Sequence, residues 1–142
     1  MYRHILLATD LEPVTALLAE RVADIVAAGT QLTLIHVIEP LALAYGAEMP
    51  VDLATLQEEV SRQARKKLDE LAKHLAIGSE RCLLVTGTIE KEILRIAQEQ
   101  GVDLIVLGSH SRRGLAALLG STANAVLHHA HCDVLAVRIA RH

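Results

Sequence analysis

Short apolar runs alternate with amphipathic stretches along this chain, and the alternation predicts its elements. Ile5-Leu6-Leu7-Ala8 reads as a buried strand closed by Thr9-Asp10. Pro13 suits the first turn of a helix, and Val14, Leu17, Leu18, Val22 and Ile25 follow at helical spacing until Gly29. Leu32, Leu34, Ile35 and Val37 form a second strand. Residues 38–51 carry Pro40, Gly46 and Pro50 and read as the one irregular stretch, of a length that often covers a site. Leu53, Leu56, Val60, Ala64, Leu68, Leu71 and Leu75 then recur at three- and four-residue steps, a long helix ended by Gly78. Cys82 to Val85 is a third strand, and Ile89, Ile93, Ile96 and Ala97 mark a third helix that stops at Gly101. Leu104 to Leu107 is the fourth strand, Gly120 to His129 a fourth helix and Val134 to Val137 the fifth strand.

Strands separated by helices require crossover connections, hence a mainly parallel sheet with helices on both faces. Continuous apolar strand sequences agree, because such strands are buried on both sides. The expectation is an α/β fold: one domain over residues 1–142, an open, Rossmann-like parallel sheet of five strands in the order 3-2-1-4-5. In such a sheet the ligand crevice opens at the carboxyl ends of strands one and four, where the winding reverses. Thr9-Asp10 and Leu107-Gly108 stand there.

Composition narrows the partner. The chain is 51% apolar yet has two Tyr, no Phe and no Trp, so its core is aliphatic and it lacks aromatic platforms for stacking bases. A net charge of −3 argues further against a nucleic-acid partner. Cys82 and Cys132 are too few and too far apart for a metal ribbon or a disulfide framework. Met1-Tyr2-Arg3-His4-Ile5 has no signal-peptide layout, and no apolar run approaches the ~20 residues that span a bilayer. A cytoplasmic protein with no membrane partner is the expectation.

Gly108-Ser109-His110-Ser111-Arg112-Arg113-Gly114, running on to Gly120-Ser121-Thr122, follows the fourth strand and precedes a helix. A strand, a glycine-containing loop and a helix start in that order let backbone N–H groups and the positive helix end converge on a phosphate. Helix capping is the competing role for these glycines. Neither G-x-G-x-x-G nor G-x-x-x-x-G-K-[ST] is present. Asp10 is placed to accept from a ribose hydroxyl or a base amine, and equally to serve as a turn or cap residue. His36, between Ile35 and Val37, reads as structural, and His110 as a loop residue within reach of ribose or phosphate. His128 and Cys132 straddle a helix end, so their four-residue step does not define a metal site. The mixed charges of the long helix read as a solvated face.

The segments HILLATD, LTLIHV and VDLIVLGSHSRRGLAALLGSTANAVLHHAHCDVLAVR resemble the universal stress proteins over essentially the whole chain. In that family G-x-x-G, a spacer and G-[ST] mark the members that bind ATP or AMP. The resemblance implies that Ala8, Thr9 and Asp10 flank the adenosine and that Val37 packs on the adenine. It implies that Leu107 and Gly108 form the pocket floor and that Gly120, Ser121 and Thr122 hold the phosphates. It also implies a homodimer through the last strand, with the protein acting as a regulatory or sensing module. Mg²⁺ is an expected companion if ATP is the ligand.

Two departures stand out. The second motif glycine is Ser111, and the spacer Arg112 to Leu119 is one residue shorter than the family's. If position 111 needs a positive φ, Ser strains the loop by roughly 1 kcal/mol; if it needs only a backbone N–H, Ser adds a hydroxyl. Arg112 is available to offset phosphate charge. Asp10-Leu11-Glu12 replaces the family's Asp-x-Ser, and Glu12 near a phosphate would repel it unless turned away. A slow ATP hydrolase and a nucleotide-free dimeric scaffold are the rival readings. No P-loop lysine or evident general base supports rapid turnover.

Overall fold

The computed structural model describes residues 1–12, 15–42, 52–109 and 120–138. In chain order they form β1 (His4–Ala8), α1 (Thr15–Ala23), β2 (Gln31–Ile38), α2 (Leu53–His74), a 3₁₀ turn (Ser79–Arg81), β3 (Cys82–Thr86), α3 (Ile89–Glu99), β4 (Leu104–Ser109), α4 (Ser121–His129) and β5 (Asp133–Arg138). The five strands pair in parallel in the order β3-β2-β1-β4-β5, as the sequence predicts. Ala8 aligns with Ile35 on one side and Leu107 on the other, so β1 stops beside the middle of β2 and of β4.

The apolar runs divide between two faces. Ile5, Leu7, Leu34, Leu104 and Val106 meet Leu18 and Val22 of α1 and Leu68 and Ala72 of α2. Leu6, Ile35, Val37, Ile105 and Leu107 meet Ile93, Ile96 and Ala97 of α3 and Ala123 and Val126 of α4. Alternate strand residues therefore feed opposite layers, which is why the central strands show no polar alternation. Ile5, Leu6, Leu7 and Ile105 are fully buried, each contributing on the order of 1.5–3 kcal/mol of hydrophobic transfer. Among the described residues no helix is long and apolar enough to cross a membrane.

Several boundaries differ from the sequence reading. The helix α1 ends at Ala23, before Gly29; Ile25 and Val26 bond back to Val22, and Gly29, at φ +88°, serves the turn into β2. Leu17 is 52% exposed because Leu18 and Val22 are the residues that α1 lays on the sheet. Gly78 does not end α2. The reversal falls to Ala76 at φ +55°, with Ala76 N–H donating to Lys73 and Ile77 N–H to Ala72. Gly108 and Ser109 remain in β4, paired with Val137 and Arg138, so the strand runs past the glycine. Pro13, Val14 and the breakers Gly46 and Pro50 lie outside the described residues.

Candidate functional site

The chain leaves β1 through a tightly bonded turn. Thr9 is buried, its N–H donates to the Ile35 carbonyl at 2.9 Å, and its own carbonyl accepts from Nδ1 of His36 at 2.7 Å. Its hydroxyl oxygen accepts from Leu11 N–H, and Asp10 Oδ1 accepts from Glu12 N–H, both at 2.9 Å. These consecutive side-chain-to-backbone turns hold Leu11 at φ +65°, which costs a β-carbon-bearing residue roughly 1–2 kcal/mol. Asp10 is exposed on the rim. The turn role foreseen for Asp10 is therefore real, and the same turn places Asp10 at the mouth of a cavity.

That cavity, about 270 Å³, lies at the carboxyl ends of β1, β2 and β4. Ala8, Thr9 and Asp10 form one edge, and Leu107 and Gly108 lie at the end of β4. Ile35, His36 and Val37 of β2 and Ile89 and Ile93 of α3 add a largely apolar wall. Gly120, Ser121, Thr122 and Ala123 bring in the start of α4, which buried Ala123 and Val126 pin against the sheet. Gly120 is the N-cap and, among the described residues, no side chain caps this helix; its first turn and the positive end of its dipole lie at the cavity edge. Gly120 has an ordinary φ of −62°, and a β-carbon there would meet nothing within 4 Å. Among the described residues nothing requires glycine at 120.

Of the residues singled out in the sequence, Ala8, Thr9, Asp10, Val37, Leu107, Gly108, Gly120, Ser121 and Thr122 line this one cavity. Ser111 and Arg112, with His110 and Arg113, lie outside the described residues. Glu12 lines a different, more open cavity beside it, with Glu59, Gln63, Lys67, Glu70 and His74. Asp10 and His36 line both. Sequence reasoning missed Ile89 and Ile93, whose four-residue step signals only a core-facing helix. It also missed His36 as a lining residue; the signal was a histidine set between Ile35 and Val37. Among the described residues no group of three or more His, Cys, Asp or Glu is placed to hold a metal. Burial holds the thiols of both Cys82 and Cys132 above the usual range, so neither is an activated nucleophile.

The model of the universal stress protein family matches residues 1–138. The chain belongs to that family. Universal stress protein A homolog 1 of Coxiella burnetii is 41% identical over 138 residues, 96% of each chain. Among solved structures, the hypothetical protein MJ0577 superposes with a TM-score of 0.80 at 26% identity, covering 100% of this chain and 99% of its own. A universal stress protein solved in complex with cAMP superposes with a TM-score of 0.60 at 21% identity, over 96% of this chain and 97% of its own. Family membership supports a role in the stress response.

Proposed function

We propose that this universal stress protein domain, residues 1–142, binds an adenine nucleotide, ATP or AMP, at the carboxyl ends of β1 and β4 and acts as a cytoplasmic regulatory or sensing module. The observation that carries the reading is the meeting of three features in one cavity: the Thr9-Asp10 turn, Gly108 and the N-terminus of α4. An apolar wall that includes Val37 suits an adenine, and Asp10 is an acceptor at the mouth for a ribose hydroxyl or base amine. Ser121 and Thr122 hydroxyls and the helix-start N–H groups suit phosphate oxygens. The volume lies just below the roughly 300–1,000 Å³ of small-ligand pockets, fitting a nucleoside enclosed and phosphates laid along the helix start. The cAMP complex of a structural relative supports adenine-nucleotide recognition on this fold. Mg²⁺ would enter as the companion of ATP, with Asp10 the carboxylate that lines the cavity.

Calorimetric titration with AMP, ADP and ATP tests the reading. Binding is expected; no heat from any of the three at millimolar concentration rejects it and leaves the scaffold reading. Any ATP hydrolysis should stay far below the roughly 1–10³ s⁻¹ of ordinary enzymes, since Asp10 and His36 are the only titratable side chains described at the cavity and both are engaged in the turn.

The same reading includes a homodimer through β5. That strand pairs only with β4 among the described residues, and Leu135 on it is 37% exposed. An open apolar edge is an aggregation hazard unless paired, and a two-fold axis beside it closes the assembly. Sedimentation is expected to show a dimer at micromolar concentration, and a monomer there ends this part of the proposal.

A further inference from the structure

We infer that His36 is a positioning residue for the nucleoside end of the cavity, acting through the Thr9 carbonyl. The inference rests on the nucleotide reading and adds to it a residue that does the aligning. Along β2, Leu34 joins the core under α1 and α2, whereas Ile35 and Val37 join the core under α3 and α4. Alternation places His36 on the α1/α2 face, one position beyond Ile35, the partner of the last residue of β1. From there its Nδ1–H donates to the Thr9 carbonyl at 2.7 Å. A carbonyl can only accept, so this contact selects the Nδ1–H tautomer in a neutral ring.

Thr9 is thereby held at three atoms. Its N–H continues the ladder to Ile35, its carbonyl takes the imidazole, and its hydroxyl oxygen takes Leu11 N–H. The peptide plane between Thr9 and Asp10 contains that carbonyl, so the imidazole fixes the plane from which Asp10 departs. Leu11 follows in a left-handed conformation that side chains resist, so the turn persists only because its neighbours determine it. Without the ring, the turn loses a side-chain contact that ties it to β2, and the peptide plane that leads into Asp10 at the cavity rim loses a restraint. The start of α4 does not depend on His36: it is pinned separately by Ala123 and Val126. Loss of His36 should therefore act on the nucleoside and spare the phosphates.

The test is calorimetry of adenosine, AMP and ATP with the full-length protein, His36→Leu and His36→Asn. His36→Leu should weaken all three by one common factor, about tenfold, leaving the ratio of ATP to adenosine affinity unchanged. His36→Asn, whose amide keeps a donor near the Nδ1 position, should recover most of that loss. If His36→Leu binds as the wild type does, or if Asn is no better than Leu, the positioning role is overturned while the nucleotide reading stands. Wild-type protein that binds none of the three overturns both. Should His36→Leu fail to fold, ring ¹⁵N shifts of the wild type decide. AMP is expected to shift the His36 resonances with Nδ1 still protonated, and an Nε2–H tautomer in the bound state overturns the inference.

Discussion

The two ends of the sheet treat their polar groups in different ways. At the amino end, Asp103 accepts backbone N–H bonds from Arg3 and His4, both at 2.8 Å. The buried His4 ring lies between the Thr33 hydroxyl at 2.7 Å and the Gln100 carbonyl at 3.2 Å. There α2 and α3 end by folding their last carbonyls back onto their own chain: Ile77 bonds to Ala72 and Val102 to Ala97. At the carboxyl end, α4 begins beside a cavity, with no side-chain cap among the described residues. The amino end uses these groups for the fold; the carboxyl end bonds the Thr9–Glu12 turn in the same way but also sets the start of a helix beside a space a ligand can fill. Changes at the amino end should therefore alter stability without altering binding, and changes at the start of α4 the reverse.

The largest break in that contrast is expected from Asp103→Ala. Two backbone N–H groups lose a charged acceptor, and a loss of about 2 kcal/mol should appear in denaturant unfolding, with AMP affinity unchanged. The pH dependence follows from the same bonds. The Arg3 and His4 N–H groups, in that order, hold the Asp103 carboxyl below its ordinary value of 3.8. A depressed folded-state value means that the unfolded chain takes up the proton first as pH falls. The contribution is complete above the ordinary carboxylate range and disappears as pH falls through the lower folded value. Asp103→Asn should accordingly flatten the acid limb of the stability curve, read by thermal melts between neutral and low pH; an unchanged limb would show the bonds to be inert.

Gly120→Val reverses the pattern. A β-carbon at 120 clashes with nothing among the described residues and φ is ordinary, so the melting temperature should hold within a few degrees. A branched side chain at the start of α4 should nevertheless weaken ATP by about tenfold, near 1.4 kcal/mol, with a smaller effect on adenosine. Equal losses for both ligands would move the phosphates away from α4.

Sheet order and the position of the cavity were legible because each depends on coarse periodicity. Apolar runs between amphipathic stretches specify a parallel sheet, and the winding reversal specifies its crevice. What could not be read depended on single conformations. Glycine marked the ends of α1 and α2 in the sequence, but at Ala76 the hydrogen bonds of the reversal outweigh the preference for glycine. Gly108 signalled a loop, yet in the ladder with Val137 it is a strand residue. His36 was hidden by the opposite problem: in an apolar strand a lone histidine carries no periodic signal, and its partner Thr9 is distant in sequence.

Thr33→Val should produce a smaller effect, again at the amino end. It removes the hydroxyl partner of buried His4 with little change of shape, costing about 1 kcal/mol. Urea midpoints should fall while AMP affinity stays at the wild-type value. A change in affinity would mean that the two ends communicate through β1 and β2.

Ala76→Gly offers the finest test, because α2 and α3 end with the same bonding pattern on different residues. After α3, Gly101 occupies the left-handed position at φ +63°, with Gly101 N–H bonded to Gln98 and Val102 N–H to Ala97. After α2, Ala76 occupies it at φ +55°, with Ala76 N–H bonded to Lys73 and Ile77 N–H to Ala72. The alanine carries the steric penalty of a β-carbon in that region, roughly 1 kcal/mol, which glycine removes. Glycine also adds freedom to the unfolded chain, which takes back part of the gain. Ala76 is exposed, so no packing is lost with its methyl. The expected result is a net stabilisation of about 0.5 kcal/mol, a small rise in urea midpoint at constant slope, and unchanged AMP affinity. A destabilised Ala76→Gly would mean that the entropy term exceeds the strain, and that alanine suits this helix end better than its backbone angles indicate.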